Sequence, residues 1–86
     1  MSKSIIEAAK RVSAVVKEMY DVTSPIVATR VWTSIEGWCV MAYGQRDGGD
    51  FALSEMFDDD DYTFEFVFPT LSELQDFVHR SLVLDM

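Results

Sequence analysis

Along the first twenty residues the apolar positions recur at threes and fours. Ile5, Ala8, Ala9, Val12, Val15, Val16 and Met19 fall on one stripe, and Glu7, Lys10, Arg11, Lys17 and Glu18 on the opposite face, which predicts an amphipathic helix over residues 5 to 20. Ser4 and Glu7 have the spacing of a capping box, and Pro25 in "DVTSP" disfavours helical geometry at Ser24 and so ends the helix. The period then drops to two. "IVATRVWT", residues 26 to 33, is β-branched and free of Gly and Pro, and reads as a strand closed by the turn "SIEG". "WCVMAYG" is apolar at both alternating sets of positions, as in a strand inside a sheet whose second side is covered or partly covered. "QRDGGD" supplies the Asp-Gly and Gly-Gly steps that tight hairpins need, and "FALSEMF", residues 51 to 57, makes a third strand although Ser54 and Glu55 break its alternation.

In "FDDDDYTFEFVFPT" the alternation is cleanest: Tyr62, Phe64, Phe66 and Phe68 point one way, Thr63, Glu65 and Val67 the other. Pro69 stops the strand. Thr70 and Glu73 form a second capping box ahead of a stripe at Leu71, Leu74, Phe77, Val78, Ser81 and Leu82, so a helix follows over residues 71 to 83. The order implies an α+β fold (α-β-β-β-β-α). Specifically, it predicts a two-layer, antiparallel meander of three to four strands with the N-terminal and C-terminal helices packed on one face and the aromatic stripe as core beneath them. With 86 residues, no internal repeat and no linker composition, residues 1 to 86 read as a single small acidic α+β domain.

Composition narrows the chemistry. An apolar fraction of 49% with 13% aromatics supports a core without disulfides or a structural metal. Cys39 and His79 are each the only residue of their kind, so neither an intramolecular disulfide nor a Cys/His zinc site can be assembled. Cys39 lies mid-strand and reads as an inert buried thiol, while His79, near the end of the last helix, is placed to face its terminal carbonyls. The aspartate run 58 to 61 lacks the alternating ligands, central glycine and distal glutamate of a calcium loop, and "DGGD" lacks the lysine and spacing of a phosphate loop. The expectation is therefore no enzyme, no cofactor and no metal. Charges at Glu7, Lys10 and Arg11 interrupt any leader-like apolar stretch, and no run of 18 apolar residues occurs, so a cytoplasmic protein without a membrane partner is expected.

The distribution of charge changes the picture most. Residues 1 to 46 carry six bases and four acids, net +2, whereas residues 47 to 86 carry eleven acids and one base, net −10. A field of that sign repels nucleic acid and attracts basic surfaces. The expected function is a non-enzymatic protein-binding inhibitor, of the kind made by phages or mobile elements, which offers a nucleic-acid-like acidic surface to the basic patch of a nucleic-acid-handling enzyme. The residues expected to carry it are Asp47, Asp50, Glu55, Asp58, Asp59, Asp60, Asp61 and Glu65, with Trp32 as an aromatic anchor if the first strand lies at an edge; under that condition Trp38 is a second anchor, with core burial as the competing reading for both. The alternative is an immunity protein or chaperone that masks a toxin or secreted client through Trp32, Tyr43 or the edge strand. An unpaired edge also offers a route to a homodimer.

Overall fold

A computed structural model describes the backbone of residues 2–31, 37–58 and 63–83. The elements are α1 (Ser2–Tyr20), β1 (Ile26–Val31), β2 (Trp38–Gln45), β3 (Phe51–Phe57), β4 (Thr63–Phe68) and α2 (Leu71–Val83). The strands lie in the order β1-β2-β3-β4, each antiparallel to the next, so the α-β-β-β-β-α order and the meander are as the sequence predicts.

The layering is different. On one side of the sheet Ala8, Val12 and Val16 of α1 pack on Trp38, Val40, Ala42, Ala52 and Met56. On the other side Leu74 and Val78 of α2 pack on Cys39, Met41 and Leu53, joined by Tyr43, Phe51, Phe57, Phe66, Phe68 and Phe77. The two sets alternate along β2 and β3, so the helices cover opposite faces and the molecule has three layers instead of two. The cause is in the strands themselves. β2 is buried from Trp38 through Ala42 and β3 from Ala52 through Met56, on both sides alike. Two helices on one face would leave Cys39, Met41 and Leu53 bare, at about 1.5–3 kcal/mol for a side chain the size of Leu or Met.

The helix patterns need smaller corrections. α1 begins at Ser2, two residues ahead of the predicted cap position, and Met19, assigned to the apolar stripe, is 62% exposed. α2 does start at the predicted capping residue: the Glu73 N–H donates to Thr70 Oγ1 at 3.2 Å, and the Thr70 hydroxyl donates to Glu73 Oε2 at 3.1 Å. Of the aromatic stripe, Tyr62 lies outside the described residues, and Phe66 and Phe68 of β4 pack on the α2 side. Phe66 and Phe68 lie 5.1 and 5.4 Å from the Phe77 ring, whereas Phe64, nearer the end of the strand, is 44% exposed. No described helix is long and apolar enough to cross a membrane.

The passage from α1 into the sheet depends on two local features. Asp21 takes a positive φ of 61°, the left-handed turn that ends the helix, and this directs Val22 down onto β2. A Cβ on Gly44 would sit 2.3 Å from Val22 Cγ1, so the absence of a side chain at Gly44 is what lets Val22 reach 3% exposure. Replacing Gly44 by Ala is expected to destabilise the fold by about 1–3 kcal/mol through overpacking. In a domain of this size that lowers Tm by roughly 4–8 °C per kcal/mol. A Gly44→Ala variant that melts with the wild type would show that Val22 does not hold this junction.

Candidate functional site

The acidic residues singled out from the sequence do not form one surface. Asp47 and Asp50 lie in the β2–β3 hairpin, and Asp58 lies just past the far end of β3, with its N–H donating to the Trp38 carbonyl at 2.9 Å. At 3.3 Å per residue these two ends are roughly 25 Å apart. Glu55 is 7% exposed and faces α2, so it is interior. Glu65 is exposed on the α1 side of β4, opposite Ser54. Asp59, Asp60, Asp61 and Trp32 lie outside the described residues. Trp38, which the sequence leaves between core burial and an exposed anchor, is 5% exposed within the α1-side core.

What the fold does bring together lies at the hairpin end. β1 begins where β2 ends, because Ile26 pairs with Tyr43, so the C-terminus of α1 arrives beside the hairpin. Between them is a cleft of about 430 Å³ lined by Glu18, Met19, Tyr20, Asp21, Arg46, Asp47 and Gly48. The hairpin is fixed by the Arg46 N–H to Asp50 carbonyl bond at 2.8 Å, the Gly49 N–H to Arg46 carbonyl bond at 3.0 Å, and a φ of 99° at Gly49 that suits glycine. Its one base is already engaged. Arg46 donates to both carboxylate oxygens of Asp50, at 2.8 and 2.5 Å, and its guanidinium stands 5.8 Å from the centre of the Tyr20 ring. That fork holds the Asp50 carboxyl below its ordinary range, chiefly through its hydrogen bonds. Burial and then the nearby Glu65 carboxylate raise the Tyr20 pKa, and Arg46 offsets part of the rise.

Glu18, Asp21, Asp47 and Glu65 thus surround Tyr20, and the negative end of the α1 dipole points the same way. Glu18 and Asp21 belong to the half of the chain with net positive charge, which is why a count along the sequence passed over them. The signal that finds them is topological: in a meander entered from a helix, the residues just before the first strand meet the turn that follows the second.

A second polar group is enclosed between α2 and the sheet. Arg30 of β1 donates to the Ser81 carbonyl near the end of α2 and lies 5.6 Å over the Phe57 ring. Beside it the Cys39 thiol, fully buried, donates to Glu55 Oε2 across 3.9 Å. Burial, followed by the Glu55 charge, pushes the Cys39 pKa up to about 12, so the sulfur stays a thiol at neutral pH and is a poor nucleophile. His79 is exposed on α2. Among the described residues no three of His, Cys, Asp and Glu are grouped to hold a metal ion. This interior group serves to fasten α2 over the sheet.

Compared with known proteins, the chain matches no family model, no curated protein and no solved structure.

Burial raises the Glu55 pKa above 4.5, against the opposing pull of Arg30 and the thiol hydrogen bond. A carboxyl whose pKa rises on folding adds stability below its unfolded value, and that stability is lost as pH climbs through the folded value. The stability of the wild type relative to Glu55→Gln is therefore expected to fall as pH is raised from 4 to 7, measured by chemical denaturation of both proteins in parallel. A relative stability that climbs over that range would mean the Arg30 pairing outweighs the burial of the charge.

Proposed function

We propose that the protein is a non-enzymatic binding protein that presents its acidic hairpin end to a basic patch on a partner protein, and so acts as an inhibitor. The observation that carries this reading is the convergence of Glu18, Asp21 and Asp47 on the cleft beside Tyr20, with Glu65 acting on the same ring; Arg46, the base in the cleft lining, is already paired with Asp50, and Lys17 in the last turn of α1 offsets only one of these charges. Carboxylates held on a rigid scaffold can occupy the places of phosphates in a groove lined by Lys and Arg, which makes a nucleic-acid-handling enzyme the partner class of best fit. The same surface repels nucleic acid itself. A small inhibitor of this kind suits a phage or mobile element and works in the cytoplasm. A second reading, an immunity protein or chaperone that masks a toxin or secreted client, draws on the exposed Ile26, Val27 and Val31 of β1.

The test is co-purification from lysate of the native source with three forms of the chain. These are the wild type, a cleft variant (Glu18→Gln, Asp21→Asn, Asp47→Asn, Glu65→Gln) and a run variant with Asp58 through Asp61 changed to Asn. Capture of a nucleic-acid-handling enzyme by the wild type is expected. The cleft variant should weaken that capture by roughly tenfold or more, and so should added salt or competing duplex DNA. Loss with the run variant alone would move the surface to the other end of the sheet. A partner that stays bound to both charge variants and is lost with Val27→Lys would replace this reading with masking.

A further inference from the structure

The two edges of the sheet differ in what they show to solvent. β4 carries Glu65 near its centre, a charge that discourages strand pairing at that edge. β1 shows no charge to solvent on its open face, and its protection is confined to Pro25 just before the strand and an inward-turned arginine. Ile26, Val27 and Val31 are 57%, 43% and 61% exposed, and Thr29 is exposed between the valines. Its single charge, Arg30, is turned inward to Phe57 and the Ser81 carbonyl. α1 lies over β2 and β3 and only lightly over β1, so the α1 side of this strand is open, and no described strand pairs with its outer side.

We propose that β1 pairs antiparallel with β1 of a second copy of this chain, about a two-fold axis at Thr29, to give a continuous eight-stranded sheet. A two-fold axis normal to the sheet keeps each face on its own side, so facing residues must share a face. Centring on Thr29 sets Thr29 against its copy and Val27 against the copy's Val31 twice over, all on the open α1 side. Centring on Ala28 would oppose Val27 to Thr29 and leave Val31 beyond the paired stretch. Charge selects the same partner and orientation. β1 bears no carboxylate, and antiparallel pairing sends the two acidic clefts to opposite ends of the assembly, roughly 40 Å apart along the strands. That separation far exceeds a Debye length of about 8 Å, so two chains of net charge −8 meet here at little electrostatic cost. A β4 pairing centred on Glu65 would set the two carboxylates directly against each other, and one centred on Phe66 would set each against Val67 of the copy.

An edge of six residues is small beside the ~1,000 Å² of a stable interface, so the dimer is expected to depend on concentration. Sedimentation equilibrium of the wild type should show mass rising from one chain toward two, and Val27→Lys with Val31→Lys should hold it at one. Register is read by mild oxidation of Thr29→Cys, since Cys39 is fully buried. Thr29→Cys should cross-link roughly tenfold faster or more than Val27→Cys or Val67→Cys, because only at the axis does a residue face itself. All the substituted side chains are exposed, and circular dichroism checks that each variant folds. A wild type that stays a single chain up to millimolar concentration overturns the proposal, even if another protein is found on the edge. So does cross-linking at Thr29→Cys no faster than at Val67→Cys.

Discussion

Water has to be kept from both faces of β2 and β3 at once, and the rest of the molecule follows from that requirement. Alternate residues on each strand are apolar and buried, so each face needs its own cover. α1 supplies one with Val12 and Val16, and the chain leaving it presses Val22 against Gly44. α2 supplies the other by a mixed contact: aliphatic at Leu74 and Val78, aromatic where Phe77 meets Phe66 and Phe68, and polar where Arg30 grips the Ser81 carbonyl. The polar grip has a cost, because it encloses Glu55, for which Arg30 and a thiol are the compensating groups among the described residues.

Most element positions were legible in the sequence because local rules agreed there. "FALSEMF" and "LSELQDFVHRSLV" match β3 and α2 end to end, and Thr70 caps where a capping box should. Layering was misread because two signals disagreed. "WCVMAYG" pointed to a second side that is covered or partly covered, but Ser54 and Glu55 broke the alternation of the neighbouring strand by placing one polar residue on each face. Both are buried all the same, Ser54 with an oxygen that finds no partner under α1 and Glu55 beside Arg30 and Cys39. Period-two reasoning equates polar with outward-facing, and in a strand covered on both faces that equation fails.

The candidate site was legible in sign but not in place. A tally of carboxylates along the chain cannot register that Asp50 is spent on Arg46, that Glu55 is interior, or that Asp58 is a strand length away from the hairpin. Nor can it add Glu18 and Asp21, which come to Asp47 only because the meander returns β2 to the start of β1. Burial, pairing and topology redistribute a charge that composition gives only as a sum.

Charge by itself accounts for only part of recognition. Exposed carboxylates steer a basic partner and raise the rate of encounter, but salt screens them and each contributes little to affinity. A complex that lasts needs apolar contact beside the charge. The cleft offers it in Met19, which α1 leaves 62% exposed although its position falls on the apolar stripe, next to the ring of Tyr20. Unbranched and polarizable, Met fits irregular surfaces, and Tyr presents a rigid face to an arginine, as Arg46 already demonstrates within this chain. Under the proposed reading, the residue that the helix pattern would bury is the one that gives the acidic end an apolar surface to hold with.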